Sequence, residues 1–412
     1  MLVALPALHG GCQANRSPRS PYSPPVETAP QQTEQPSREG MELHWHPATT
    51  PPRPTRGTPR LRALLTLCGE GDVALQSVAE SLAGHLARGE KLSETGELVM
   101  ALRSEGSPYV WPRAWSLEGP RLTPGVLRDK MRPWLEAFGN EGRRRCGLAW
   151  ARAHPGEREV FVAVAVEAVA ELLAPVPTMA RSGQWVTVDA SSLIDAAGAK
   201  LLILPPRGIP YAVPASFDAG RIRGVFRVDR PGPWKAQVLA STDSGPRPAL
   251  ELMIWVDRSP PRYGVEEPAP GENLLRRSDE PETQLLALVM AARATEGLPP
   301  LRRDPRLDKL AREHSRAMRE SGKLGHDVGA GDPLARLRET PIGARRGGEN
   351  VAHAANVVLA QRALWASPSH RGNLLDTGYD AIGLGLARDS DGSIWVTQTF
   401  AELGVARAFS AD

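Results

Sequence analysis

A chain of 412 residues holds roughly two to four domains, and an apolar fraction of 41% supplies ordinary globular cores. The formal net charge is only +3 and both signs mix along most of the chain, which argues against a polyanion-binding surface, so no nucleic-acid partner is expected. Nothing apolar approaches the roughly 20 residues needed to span a bilayer. FVAVAVEAVAELLA at 161–174 is too short and is broken by Glu167 and Glu171.

Residues 1–12, MLVALPALHGGC, run apolar, then small, then cysteine. They resemble the tail of a bacterial lipoprotein signal, in which cleavage leaves a lipidated Cys12 as the membrane anchor. The stretch lacks a basic leader, and His9 stands where an aliphatic residue is usual. Residues 13–58 are rich in Pro, Ser, Thr, Gln and Arg. Such a segment buries too little apolar area to offset its ordering entropy, so a disordered tether is expected. His44 and His46 beside Trp45 are read as composition, not as a metal pair.

Residues 60–174 read as an α+β domain. Val73, Leu75, Val78, Ala79, Leu82 and Leu86 fall mainly on one helical face. WPRAWSLEGP reads as a loop. RCGLAWARAHPGEREVFVAVAVEAV reads as a strand, a turn, and a second apolar strand or buried helix. Cys68 and Cys146 either pair in an oxidising compartment or remain buried thiols. Residues 177–258 hold short β-type runs split by Pro and Gly, which suits an all-β sandwich. DRPGPWKAQVLA there resembles the ending of disulfide-free immunoglobulin-like modules. Residues 259–278 read as a linker rich in Pro and charge.

The last domain spans 279–404. Pro281 opens one helix, and Asp304 with Pro305 opens another that Gly322 ends. His314 falls on the apolar face of the second helix and reads as a core histidine. A Gly-rich loop then holds His326. Asp332 and Pro333 start a short helix, LARLRE. GGENVAHA carries Glu349 and Asn350. Asn356 caps VVLAQRALWA, and Ser367 with Pro368 opens a short helix carrying His370. Ser367 and Ser369 read as capping and turn residues, not as nucleophiles. DAIGLGLA and IWVTQTF close the domain as a hairpin.

In that order, HSRAMRESGKLGH, GGENVA, ALWASPSHRGNLL, AIGLGLA and IWVTQTF resemble the CAP superfamily: the cysteine-rich secretory, antigen 5 and pathogenesis-related 1 proteins. The likeness is to its bacterial, SCP-like extracellular branch and covers roughly residues 280–403. It implies a CAP-type α-β-α sandwich at the C-terminus. The fold class expected for the whole chain is α+β, with an immunoglobulin-like sandwich and an N-terminal α+β domain before the CAP domain. The N-terminal domain faintly echoes the CAP order without GEN or SPxHR, as a degenerate relative would.

The resemblance places His326, Glu349 and His370 in a cleft. The family's second Glu is absent, because Trp365 is followed by Ala366, Ser367 and Pro368; this argues against chemistry that needs two carboxylates. Two imidazoles and a carboxylate suit Zn²⁺ or another divalent cation. Arg371 and Asn373 are expected to tie the His370 helix to its surroundings by carboxylate pairing and backbone hydrogen bonds. The expected role is an extracytoplasmic protein, surface-anchored or secreted, binding a lipid, a cell-wall glycan or a protein in this cleft. The membrane enters only through a lipid anchor at Cys12. The alternatives are a metal-dependent extracytoplasmic hydrolase and a structural envelope protein with a vestigial cleft.

Overall fold

The computed structural model describes residues 41–90, 95–153, 158–243, 245–264, 267–276 and 279–403. Cys12 lies outside the described residues. The helices in chain order are α1 (Arg62–Cys68), α2 (Val73–Ala87), α3 (Thr95–Ser104), α4 (Pro124–Glu136), α5 (Pro281–Thr295), α6 (Pro305–Ser321), α7 (Pro333–Arg338), α8 (Val357–Ala366) and α9 (Pro368–Leu375). None is long and apolar enough to cross a membrane. The chain mixes helix and sheet, as expected of α+β.

The first unit is an α-β-α sandwich. Its sheet runs, in spatial order, Glu70–Gly71, Arg143–Arg152, Glu159–Ala168 and Arg113–Gly119. The first pair is parallel and the others antiparallel. Leu75, Val78 and Leu82 of α2 cover one face, against Val160, Val162 and Val164. Leu64 of α1 with Leu127 and Met131 of α4 cover the other, against Phe161, Ala163 and Ala165. A strand buried on both faces loses the polar–apolar alternation of a half-exposed one, which explains the apolar run at 160–166. A disulfide joins Cys68 at the end of α1 to Cys146 in the sheet, with a Cα–Cα distance of 6.1 Å.

The C-terminal unit repeats this plan. Its spatial order is Arg302–Arg303, Ala381–Arg388, Ile394–Glu402 and Arg346–Ala354. Again the first pair is parallel and the others antiparallel. α6 covers one face, and α5, α8 and α9 the other. Asp304 caps α6 by accepting from the Arg306 N–H, and Gly322 ends it at φ 63°. Close helix–sheet contact needs a glycine: a Cβ on Gly383 would overlap the Leu307 backbone of α6, as one on Gly147 would overlap Leu75 of α2.

Between them lie two facing sheets. Leu201, Ile203, Val238 and Leu252 of a five-stranded sheet meet Val188, Ile222 and Phe226 of a four-stranded one. This core is continuous with the α2 face of the first unit.

Several expectations are corrected. Within the supposed tether, residues 41–58 are packed: Met41 and Leu43 are buried, Ala48–Thr49 pairs with Val176–Pro177, and the Trp45 ring meets Trp255. The first boundary falls earlier than 174, because Ala170–Leu172 pairs with Trp185–Ser192 of the second unit. Arg113–Gly119, read as loop, is a strand. The 259–278 linker is docked in part, with Ala269 buried and Glu272 bridged to Arg362 at 2.7 Å.

Candidate functional site

Glu349 lies on Arg346–Ala354, the edge strand of the C-terminal sheet, with its side chain 1% exposed. Burying a carboxylate is costly unless charges and donors meet it. Three neighbours do. His326 Nδ1 lies 3.0 Å from Oε1. The Arg336 guanidinium donates through one nitrogen to both oxygens, at 3.0 and 2.9 Å. His314 Nε2 is 3.5 Å from Oε1. Burial pushes the Glu349 carboxyl up, but the His326 hydrogen bond and the charges of His314 and Arg336 outweigh it and hold the group below its ordinary range.

Each partner is positioned locally. Arg336 projects from α7, which Asp332 caps by accepting from the N–H groups of Leu334 and Ala335. Its guanidinium also donates to the carbonyls of Gly331 and His326, so one side chain closes the Gly-rich loop onto the strand. His314 is buried on α6 and its Nε2 lies 2.9 Å from the Gly325 carbonyl, which requires the proton on Nε2. Burial lowers its pKa. The His326 side chain is 25% exposed. In the neutral ring, Nδ1–H donates to the carboxylate and Nε2 is left as an acceptor.

His370 is buried in α9, and burial lowers its pKa well below the ordinary histidine value. Its Nδ1 has no partner. No ion pair within 4.0 Å joins His370 to Glu349 among the described residues. The backbone of α9 is nevertheless tied to the site. Asn350 donates to the His370 carbonyl at 3.0 Å, and Asn373 donates to the Glu349 carbonyl at 3.1 Å and to Asn350 Oδ1 at 2.9 Å. Asn350 also donates to Gln398, which extends the network to Gln361.

The structure therefore brings together His326 and Glu349 of the expected three and adds His314 and Arg336. Arg336 carried one sequence signal, a cation just inside a capped helix beside the Gly-rich loop. Two readings around His370 change. Arg371 pairs with no carboxylate among the described residues; its guanidinium lies 3.3 Å from the Trp365 ring centre. Ser367 starts α9 by position, but its side chain makes no capping bond and sits 3.3 Å from Ser369 Oγ. Asn373 binds backbone as expected.

A metal at this site would meet a carboxylate whose two oxygens already hold a guanidinium. The unpartnered His370 Nδ1 is suited to a cation, whereas the Arg336 fork competes with one. As arranged, the residues do not fit a resident metal on Glu349 without displacement of Arg336.

Residues 286–400 match the cysteine-rich secretory protein family, CAP. The uncharacterized protein YkwD of Bacillus subtilis is 31% identical over 119 residues, which are 28% of this chain and 46% of that protein. The chain thus spans about half the length of that curated relative. Among solved structures, an outer surface protein from Borrelia burgdorferi aligns over 34% of this chain and 98% of its own, with 20% identity and a TM-score of 0.29. An extracellular protein containing an SCP domain, from Bacillus anthracis, aligns over 57% of this chain and 85% of its own, with 17% identity and a TM-score of 0.27.

Proposed function

Taking the CAP domain of residues 286–400 as its premise, we propose that this is an extracytoplasmic bacterial protein whose C-terminal cleft binds a ligand. Two further readings accompany it. Cys12 carries a lipid anchor, and the central sandwich is an immunoglobulin-like spacer. The first α-β-α unit is a CAP-like unit without a cleft.

One observation carries the choice of binding over hydrolysis. Both oxygens of Glu349 are engaged by Arg336, and one by His326 as well. These partners hold its pKa below the ordinary range, which makes Glu349 a weak general base. What the cleft offers outward is the His326 Nε2 acceptor, which matches O–H or N–H donors. Of the three ligand classes expected, that favours a glycan or a peptide over an aliphatic lipid.

Calorimetry with soluble cell-wall muropeptides tests this on the full chain. Saturable binding that falls about tenfold in His326→Ala, the cost of leaving one ligand hydrogen bond unmade, is expected. No binding of muropeptides by the wild-type protein would remove the glycan and peptide reading. Labelling of cells with a palmitate analogue tests the anchor, with loss of label in Cys12→Ala expected.

A metal-dependent hydrolase is the second reading. The unpartnered Nδ1 of His370 and of His314 favours it. Stoichiometric Zn²⁺ in the full chain, absent from a His326→Ala, His370→Ala double variant, would establish a metal cleft and make a hydrolase screen worthwhile; no Zn²⁺ above the variant's background would remove this reading.

A further inference from the structure

A cavity of about 680 Å³ lies where the three folded units meet. None of His314, His326, Arg336 and Glu349 lines it. Its floor is the outer face of the five-stranded sheet. On the strands Gly232–Thr242 and Gly245–Val256, Ala236, Val238, Leu252 and Ile254 face the core. Alternation turns Lys235, Gln237, Glu251 and Met253 outward, into the cavity. α3 of the first unit forms one wall through Val99, Met100 and Arg103. The α8–α9 corner of the CAP domain forms the other through Trp365, Ser367 and Arg371.

The charges in this cavity do not balance. Arg103 faces Glu251 at 3.6 Å, and Arg362 is bridged to Glu272. Among the described residues no carboxylate comes within 4.0 Å of Lys235, Arg258 or Arg371, and Glu267 is the remaining acidic group in the wall. Lys235 Nζ donates to the Ala366 carbonyl at 2.6 Å, which sets its ammonium against the CAP-domain wall without neutralising it. Arg103 is 2% exposed and its Nε has no partner; the Arg371 Nε is likewise buried and unpartnered. Burial lowers the Lys235 pKa; the charges of Glu251 and Glu267 oppose that shift, and those of Arg103 and Arg371 add to it. Burial also pushes Arg371 down to about 10. The excess positive charge of the lining favours an anion in the cavity.

Much of the remaining lining is apolar: Val99, Met100, Val110, Met253, Trp255 and Trp365. Trp111 stands on the rim at φ 56°, in the left-handed region that bulky residues rarely adopt. Such strain persists where the surroundings enforce it, and it clusters at ligand sites. The volume falls within the range of roughly 300–1,000 Å³ usual for small-molecule sites.

We propose that this junction binds a small amphipathic carboxylate. The head group meets Lys235 and Arg371, and the apolar body lies along Met100, Met253 and Trp255. A singly charged head suits a cationic patch this small with apolar walls around it. The site needs all three units, so it is distinct from the Glu349 cleft.

Calorimetry on the full chain tests this with dodecanoate, and with dodecyltrimethylammonium as the same chain bearing the opposite charge. One-to-one binding of dodecanoate is expected, at least about tenfold tighter than the ammonium, as one charge-assisted contact allows. Lys235→Met should weaken dodecanoate binding by a similar factor. Val99→Trp fills the space from α3 without altering a charge and should abolish binding. If Lys235→Met loses its cooperative melting transition, Val99→Trp alone decides. The proposal is overturned by no saturable binding, by equal affinity for the two amphiphiles, or by unchanged dodecanoate binding in a folded variant.

Discussion

The N-terminal and C-terminal α-β-α units share strand order, strand direction and helix placement, yet the glutamate and histidine of the C-terminal cleft have no counterpart at the matching places of the first unit. Their correspondence can be followed residue by residue. In the C-terminal unit the Asp304 N–H donates to the Ile382 carbonyl, and Asp308 of α6 accepts from the Leu384 N–H. In the N-terminal unit the Asp72 N–H donates to the Cys146 carbonyl, and Gln76 of α2 accepts from the Leu148 N–H. Thr399 pairs with both Gly383 and Glu349; at the matching place Val164 pairs with Gly147 and Ala114. Leu82 stands as far past its capping aspartate as His314 does past Asp304. A cleft glutamate and histidine are thus replaced by alanine and leucine on the same scaffold. Topology supplies a place for a site, and the side chains decide whether there is one.

The two units also differ in what holds them. The sharpest test removes the Cys68–Cys146 disulfide, which spans 78 residues of sequence and has no counterpart among the described residues of the C-terminal unit. In the chain-entropy account a loop of that size contributes roughly 4–5 kcal/mol. Cys68→Ala with Cys146→Ala should lower the melting transition of the N-terminal and central units and leave that of the CAP domain in place. Equal movement of both transitions in calorimetry would show that the units do not melt separately.

The next largest effect belongs to the cleft. Glu349→Ala leaves Arg336 facing a buried gap and should cost roughly 3–5 kcal/mol, the range for breaking a buried pair. Ala114→Glu at the matching strand position places a carboxylate beside α2, where Leu82 stands in place of His314. It should destabilise the N-terminal unit by the same mechanism in reverse. Urea unfolding of the two variants checks both, and a neutral Ala114→Glu would break the correspondence between the units.

Much of the C-terminal unit was legible in the sequence because its signals are local. Asp304–Pro305 and Asp332–Pro333 announce helix starts through chemistry contained in a few residues, and GGEN and SPSHRGN carry the network of Glu349, Asn350 and Asn373. Arg336 was missed as a site residue because its partner is a strand away. His314 was placed on the buried face of α6, and its second role beside Glu349 needs the sheet to be seen. The fused core of the first two units was hidden because buried apolar runs look alike whichever unit they pack into. Residues 41–58 were read as a tether from composition, yet they hold Met41, Leu43 and Trp45, enough apolar area to dock on a surface that the sequence does not display.

Acid separates the units further. His314, His353 and His370 of the CAP domain all have pKa values lowered by burial from the ordinary 6.5. A base whose folded pKa is depressed binds its proton more readily when unfolded. Its stabilisation is complete above about pH 6.5 and is lost as pH falls below that value. Each such histidine contributes a slope of up to about 1.4 kcal/mol per pH unit. Melting between pH 7.5 and 5 should therefore fall faster for the CAP domain than for the N-terminal unit, and His370→Phe should reduce that slope.

The smallest effect compares the two helix caps. Asp72 and Asp304 sit at corresponding starts, and each side chain accepts from the backbone of its helix. Replacement of either by alanine should cost about 1 kcal/mol. Their charges have opposite consequences. Burial raises the Asp72 pKa, whereas Asp304 is lowered to about 2 by the Arg306 guanidinium that forks onto it. The Asp304 contribution is present above its unfolded value of about 3.9 and lost as pH falls through about 2. Asp72 works the other way: its folded pKa lies above the unfolded one, so protonation favours the folded state. Asparagine keeps the capping oxygen and discards the charge. Asp72→Asn should therefore be neutral or stabilising at pH 7, and Asp304→Asn destabilising. Thermal melts of the two variants decide it, and a shift of the same sign in both would mean that the scaffold, not the local charge, sets the value of the cap.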